Sequence, residues 1–283
     1  MKKFLILFII HSSLFITLYA STLNLSIGSN PSRLNPILAN DSASSEISGW
    51  IFNGLFKYDK NGKLTTDLAQ SYEFLNPTHL IIRLKKGVLW HDKHPFSAKD
   101  VVFTYETIMN PGINAANIRN YYNNFKDVKK IDDRTVKFVF DEVYWKTFES
   151  VGLFEVLPKH IYEFEEPSEF NRRRSHPVGS GPYVFERWDV GQQIVLKRNE
   201  NYWGRKPKIK RIVFRIITND LAALQAVLSK SVDYYIPTPE QFSEYEDDEQ
   251  FKEDFYALKY WVPGVPYFFI GWNGNTPYFN DRR

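Results

Sequence analysis

His91-Asp92-Lys93-His94 sets two imidazoles three residues apart, a spacing at which a bound metal ion comes into question. A metal site needs a third ligand, and none stands at useful spacing. Lys93 also puts a positive charge between the two rings. The quartet therefore reads as a turn at the solvent edge, and no metal is expected. Ser180, between Gly179 and Gly181, is the second candidate. A serine nucleophile needs a base to take its proton and an acid to orient that base. Val178-Gly179-Ser180-Gly181-Pro182-Tyr183 is not the G-x-S-x-G elbow; no His follows it, and His176 just before it has no matching acid. The glycines are better suited to turning the backbone between two structural units. With no G-x-G-x-x-G, phosphate-binding loop or H-E-x-x-H, the chain offers no catalytic constellation, and neither a catalytic residue nor a cofactor is expected.

The elements that hold these residues can be read from pattern. Thr22 to Ile27 alternates as a strand and ends in the turn cluster Gly28-Ser29-Asn30-Pro31. Ser42 to Phe56 has helical spacing, with Ile47, Ile51, Phe52 and Leu55 on one side. Asn61-Gly62 predicts a hairpin between Leu55–Tyr58 and Lys63-Leu64. Strands are expected at Tyr72–Phe74, Leu80–Leu84, Thr135–Phe140, Gln193–Arg198 and Arg211–Ile216. Ser97-Ala98-Lys99-Asp100 has the form of a capping box and opens a helix to about Met109. Further helices follow the caps Thr218 to Asp220 and the box Thr238-Pro239-Glu240-Gln241, where Pro takes the first helical position. Mixed strands and helices imply an α/β or α+β fold.

Composition narrows the class further. The chain has 283 residues, enough for one large domain or two ordinary ones. Its formal charge of +3 includes Lys2 and Lys3; without them 34 basic residues face 33 acidic ones, so no nucleic acid partner is implied. The absence of cysteine removes disulfides, thiolate metal sites and thiol nucleophiles. Aromatic residues make up 17%, a surplus that suits a recognition surface of flat side chains as well as a core. Lys2-Lys3, the apolar run from Phe4 to Ile10, Leu14 to Tyr19 and the small pair Ala20-Ser21 follow the order of a secretory signal peptide cleaved after Ala20. An uncleaved membrane anchor is the alternative.

Several segments, in order, resemble one family, the peptide-binding extracytoplasmic proteins of ABC importers (solute-binding family 5). Arg83 to Thr104 is similar to its R-L-(K/R)-x-G-V-x-W-H-D-G-x-P pattern, with Lys93-His94 where Gly-Thr or Gly-Lys is usual. Asn30 to Pro36 resembles D-P-x-x-L-D-P, and Ile51 to Leu55 resembles I-(Y/F)-E-G-L. Asp67 to Tyr72, Val156 to His160, Val178 to Tyr183, Leu196 to Trp203, Ser231 to Asp233 and Asn273 to Arg283 each have a counterpart as well. The resemblance implies an α/β, periplasmic-binding-protein-like fold (class II, two-lobed), with a first lobe carrying an inserted subdomain and a second lobe largely absent. It implies a signal peptide at 1–20, a main domain from 21–50 and 175–262, an insertion at 51–174, and a crossover into the second lobe at 263–283. It also implies a monomer in the periplasm that captures a peptide or related small solute and delivers it to an ABC permease in the inner membrane. The alternatives are a binder of another solute, such as a nickel complex, and a fragment with no transport role.

By the same resemblance, Asn40, Asp41 and Ser42 match a loop that contacts ligand backbone, with capping of the following helix as the other reading. Tyr121 and Tyr122 fall in a loop, 115–123, that lines the cleft in the family; core packing is the other reading for at least one of them. Phe269, Trp272 and Asn273 match the strand that crosses to the second lobe, where Phe269 has a core alternative.

Overall fold

The computed structural model describes residues 22–173 and 176–259. In chain order these form β1 (Thr22–Ile27), α1 (Ser42–Ile51), β2 (Phe56–Tyr58), β3 (Leu64–Thr66), β4 (Ala69–Asn76), β5 (His79–Leu84), α2 (Ala98–Met109), α3 (Ala116–Arg119), β6 (Phe125–Asp132), β7 (Thr135–Phe140), α4 (Thr147–Leu153), α5 (Lys159–Tyr162), α6 (Pro167–Arg172), β8 (Tyr183–Asp189), β9 (Gln193–Arg198), β10 (Arg211–Ile216), α7 (Asp220–Leu228), α8 (Pro239–Tyr245) and α9 (Glu249–Asp254). The expected signal peptide, the crossover at 263–283, and Phe269, Trp272 and Asn273 lie outside the described residues.

Two sheets organise the chain. In the first, of order β1-β10-β9-β8, β1 runs parallel to β10 and the other pairs are antiparallel. The second, β4-β5-β7-β6, is antiparallel throughout, and β2 and β3 form a separate pair. Strand β10 lies inside its sheet, and Ile212, Val213 and Phe214 are all buried there, as expected of a strand covered on both faces. Ile47 and Ile51 of α1 belong to one contiguous core that also takes in Leu80, Ile82, Val136 and Phe138 of the second sheet and Leu196, Ile212 and Phe214 of the first. Helix α1 packs against β8 of the first sheet, and the core runs on without a break into the second.

Local signals explain where the helices begin. At α2 the capping box forms: Ser97 accepts from the Lys99 N–H, and Asp100 Oδ2 accepts from the Ser97 N–H at 2.8 Å. Asp100 Oδ1 also accepts the Lys159 N–H at 2.9 Å, which ties the start of α5 to α2. The Thr238 box and its proline open α8 as expected. Helix α1 ends at Ile51, short of the expected Phe56, because Phe52 turns to extended backbone (φ −111°, ψ 164°). The Asn61-Gly62 loop is longer than a two-residue turn: Asp59 Oδ1 accepts the N–H groups of Asn61 and Lys63 at 2.8 and 2.9 Å, and Gly62 sits at φ 72°. Strands β6 and β8 were not expected from pattern, and 115–123, expected as a loop, contains α3 and a single tight turn at 120–122.

Candidate functional site

The loop at 40–42 is held from both sides. Asp41 is the N-cap of α1; its Oδ1 accepts the Ser44 N–H at 2.8 Å and its Oδ2 accepts the Ser44 hydroxyl at 2.7 Å. The backbone N–H of Ser32 reaches the same Oδ2 at 3.2 Å, and the Ser32 hydroxyl also donates to it. Burial alone would raise the Asp41 pKa, but the hydrogen bonds from Ser32 and Ser44 outweigh it and hold the group below the usual aspartate value. Asp41 therefore carries a fixed negative charge that locks the post-β1 loop onto α1. Asn40 and Ser42 on either side of it are exposed.

The tyrosine pair is divided. Tyr122 is buried, in edge-on contact with Phe125 (ring centroids 5.2 Å apart) and Phe154 (6.0 Å). Tyr121 is 66% exposed. Among the described residues no hydrogen bond or ring contact joins either tyrosine to Asn40, Asp41 or Ser42. Of the residues expected to touch a ligand, Asn40, Ser42 and Tyr121 present open surface.

The segments that looked chemical in the sequence meet at a junction between the two sheets. Gly179 and the end of α1 are so close that a Cβ on Gly179 would fall 1.9 Å from the Ile51 carbonyl oxygen. The Gly181 N–H donates to that same oxygen at 2.8 Å. His91 closes over the segment from the other side. Its backbone N–H donates to the Gly179 carbonyl at 2.8 Å, Nδ1 accepts the Gly179 N–H at 3.2 Å, and Nε2 lies 3.0 Å from the Gly181 carbonyl. This pattern requires a neutral ring with its proton on Nε2. Burial pushes the His91 pKa down to about 4. His91 is thus half-buried and engaged at both ring nitrogens, where a free turn residue was expected, because its partners come from 88 and 90 residues further along the chain.

Ser180 lies within this clamp and has no exposed surface. Its hydroxyl donates to Asn53 Oδ1 at 3.0 Å; Asn53 Nδ2 donates to Asp67 Oδ2 at 2.7 Å, and Asp67 Oδ1 pairs with Lys57 at 2.7 Å. An amide oxygen cannot take a proton from serine, and both nitrogens of the neighbouring imidazole are committed to backbone. The arrangement suits a structural tie and lacks the parts of a nucleophile. Asn199 Nδ2 donates to the Gly181 carbonyl at 3.1 Å and Trp203 Nε1 to the Ser180 carbonyl at 3.0 Å, closing the knot. Replacing Ser180 with alanine removes the hydroxyl that donates to Asn53 Oδ1 in a buried site, so unfolding free energy should fall by about 1–2 kcal/mol, measured by urea denaturation. An unchanged midpoint would show that the bond contributes nothing.

The outer part of the turn differs. Asp92, Lys93 and His94 are exposed, and Lys93 adopts φ 72°, a left-handed conformation that costs a residue with a Cβ about 1–2 kcal/mol. His160 Nε2 lies 2.6 Å from Asp92 Oδ2, and its ring stacks on His94 at 4.0 Å. Among the described residues no group of three or more His, Cys, Asp or Glu side chains could hold a metal ion.

Comparison with known proteins accounts for the convergence of these segments. Residues 63–283 match the model of the bacterial extracellular solute-binding proteins, family 5 Middle, and the chain belongs to that family. The oligopeptide-binding protein AppA of Bacillus subtilis is 29% identical over 271 residues, covering 91% of this chain and 47% of AppA. Its solved structure, in complex with a nonapeptide, superposes with a TM-score of 0.72 at 26% identity, over 80% of this chain and 46% of that one. NikZ of Campylobacter jejuni, in complex with Ni(L-His), gives 0.73 at 27% identity, over 82% and 46%. The fold is that of the family 5 binding proteins, and the chain spans about half the length of the relatives it matches. Among the described residues no helix is long and apolar enough to cross a membrane.

Proposed function

We propose that this chain is part of the periplasmic solute-binding component of an ABC importer, and that it takes peptides. The observation that carries the reading is the likeness to AppA, whose solved complex holds a nonapeptide, over most of this chain. The open surface at Asn40, Ser42 and Tyr121 fits an extended ligand, which is held largely through its backbone and admits varied side chains. Phe269, Trp272 and Asn273 complete the proposed ligand set. The proposed main domain, 21–50 with 175–262, accords with a sheet built from β1, β8, β9 and β10; the proposed insertion, 51–174, accords with the sheet β4-β5-β7-β6. Export by residues 1–20, a monomeric state and delivery to an inner-membrane permease belong to the same proposal, with no bond-breaking step.

A second reading, a nickel complex as cargo, is favoured by the NikZ match. Thermal denaturation with a mixed peptide pool, and separately with nickel plus histidine, distinguishes the two. A ligand at about 100 times its dissociation constant stabilises the folded state by about 2.7 kcal/mol, a shift of several degrees. Peptides alone should raise the midpoint. A rise with nickel–histidine alone would overturn the peptide assignment, and no rise with either would favour a fragment without a transport role.

A further inference from the structure

A cavity of about 410 Å³ opens between the loop after β1, the segment after α6 and the end of β8. None of Asn40, Asp41, Ser42, Tyr121 or Tyr122 lines it, so it is separate from the surface proposed for peptides. Its walls are apolar where Leu34, Phe185 and Trp188 contribute, and His176 stands against Phe185 with ring centroids 5.2 Å apart.

The lining residues with a permanent charge, Arg33 and Arg173, are both cations. Arg33 Nη1 donates to the Asn171 carbonyl, while Arg173 donates from Nη1 to the Ile161 carbonyl and from Nη2 to the Glu163 carbonyl. These neutral acceptors orient the two guanidiniums without cancelling their charge, and neither Arg33 nor Arg173 has an ion pair among the described residues. Two further donors are buried with no acceptor: Trp188 Nε1 and Asn35 Nδ2. Asn35 is only 5% exposed, and its amide orientation is fixed because Oδ1 accepts the Ile37 N–H at 3.0 Å. An indole N–H and a guanidinium can only donate, and buried donors without partners are rare in folded proteins. Both unpartnered donors belong to residues in the cavity wall, with the two nitrogens themselves shielded from solvent, and beside two arginines without ion pairs they point to a group that accepts only.

We propose that this cavity binds a small organic anion, a monocarboxylate with an apolar body. The carboxylate accepts from the free N–H groups of the arginines, with Asn35 and Trp188 in the wall beside it, and the apolar body packs on Leu34 and Phe185. A carboxylate matches this donor set because it offers several lone pairs and no proton at neutral pH.

The test uses the intact chain with 3-phenylpropionate and its uncharged analogue 3-phenylpropionamide, followed by the indole N–H signals in ¹⁵N-correlated NMR spectra. Trp188→Phe identifies the Trp188 signal by its disappearance. The carboxylate should shift that signal saturably and bind at least tenfold tighter than the amide, and the double variant Arg33→Gln, Arg173→Gln should weaken it at least tenfold. Equal affinity for acid and amide, or a Trp188 signal that does not move, would overturn the proposal. The acid–amide comparison needs no variant, so a double variant that fails to fold does not blunt the test. A failure of peptide binding leaves these signals unaffected, because the two surfaces share no residue named for either.

Discussion

Gly179→Ala should lower the unfolding free energy by roughly 4 kcal/mol or more, an effect at the upper end for a single added methyl group. The new Cβ would lie 1.9 Å from the carbonyl oxygen of Ile51 and 2.6 Å from its carbon. Backbone atoms are in the way, so no side-chain rotation can relieve the clash. Either the 178–181 segment lifts away or the end of α1 moves. Both routes stretch the bond from the Gly181 N–H to Ile51 and loosen the His91 contacts that tie the two sheets together. Gly28→Ala is the matched control: nothing lies within 4 Å of a Cβ there, and the change should stay within about 0.5 kcal/mol. Urea denaturation followed by far-UV circular dichroism gives both values. Similar midpoints for the two variants would mean that the glycine contact carries no weight.

This junction also shows what the sequence could and could not reveal. Signals that act within a few residues were legible. The Ser97–Asp100 box and the Thr238–Gln241 box each satisfy helix-end N–H groups with side chains three positions away, and both helices begin there. Strands β7, β9 and β10 were legible because apolar residues alternate or cluster between turn residues. Strand β6 was hidden by its charges: only Phe125 and Val128 are buried among Lys126, Asp127, Lys129 and Lys130, so the period of two is diluted. The role of His91 was hidden for another reason. Its neighbours in sequence are exposed turn residues, and nothing local shows that both its ring nitrogens are used by a segment nearly ninety residues later. The family resemblance located the right segments, yet many of the quoted residues form the frame of the lobe and not its ligand surface. Asn53, Asp67, Ser180 and Trp203 hold one another, Asn199 holds Gly181, and Gly179 is held by His91. Of the expected ligand residues that the structure describes, Asn40, Asp41 and Ser42 fall at a helix cap and Tyr121 on the surface, while Tyr122 is buried.

The clamp should also make stability depend on pH, against an opposing term from Glu155. His91 titrates near 6.5 when unfolded and at about 4 when folded, because burial disfavours the charged ring and Nδ1 must stay free to accept from Gly179. Its contribution is therefore complete above pH 6.5, falls as pH drops through the window to about 4, and amounts to about 3 kcal/mol. Glu155 acts the other way. Burial raises its carboxyl from 4.5 to about 8, so the folded state is favoured while the group is protonated, and stability is lost as pH rises from 4.5 through 8. Residue Glu155 keeps some contact with solvent, which trims the full effect to roughly 3 kcal/mol. Between pH 4.5 and 6.5 the two slopes oppose each other, and the parent protein should show a nearly flat profile there. Two variants separate the terms. His91→Gln keeps one donor and one acceptor but cannot titrate, so its stability should rise with acid through that window, where the parent stays nearly flat, exposing the Glu155 slope. Glu155→Gln should be more stable than the parent at pH 8 and should lose stability steeply on acidification below pH 6.5. Urea midpoints at half-unit pH steps provide the measurement. If His91→Gln followed the parent profile through the whole window, His91 would have to be charged in the folded protein, and the hydrogen bond from the Gly179 N–H to its Nδ1 could not form.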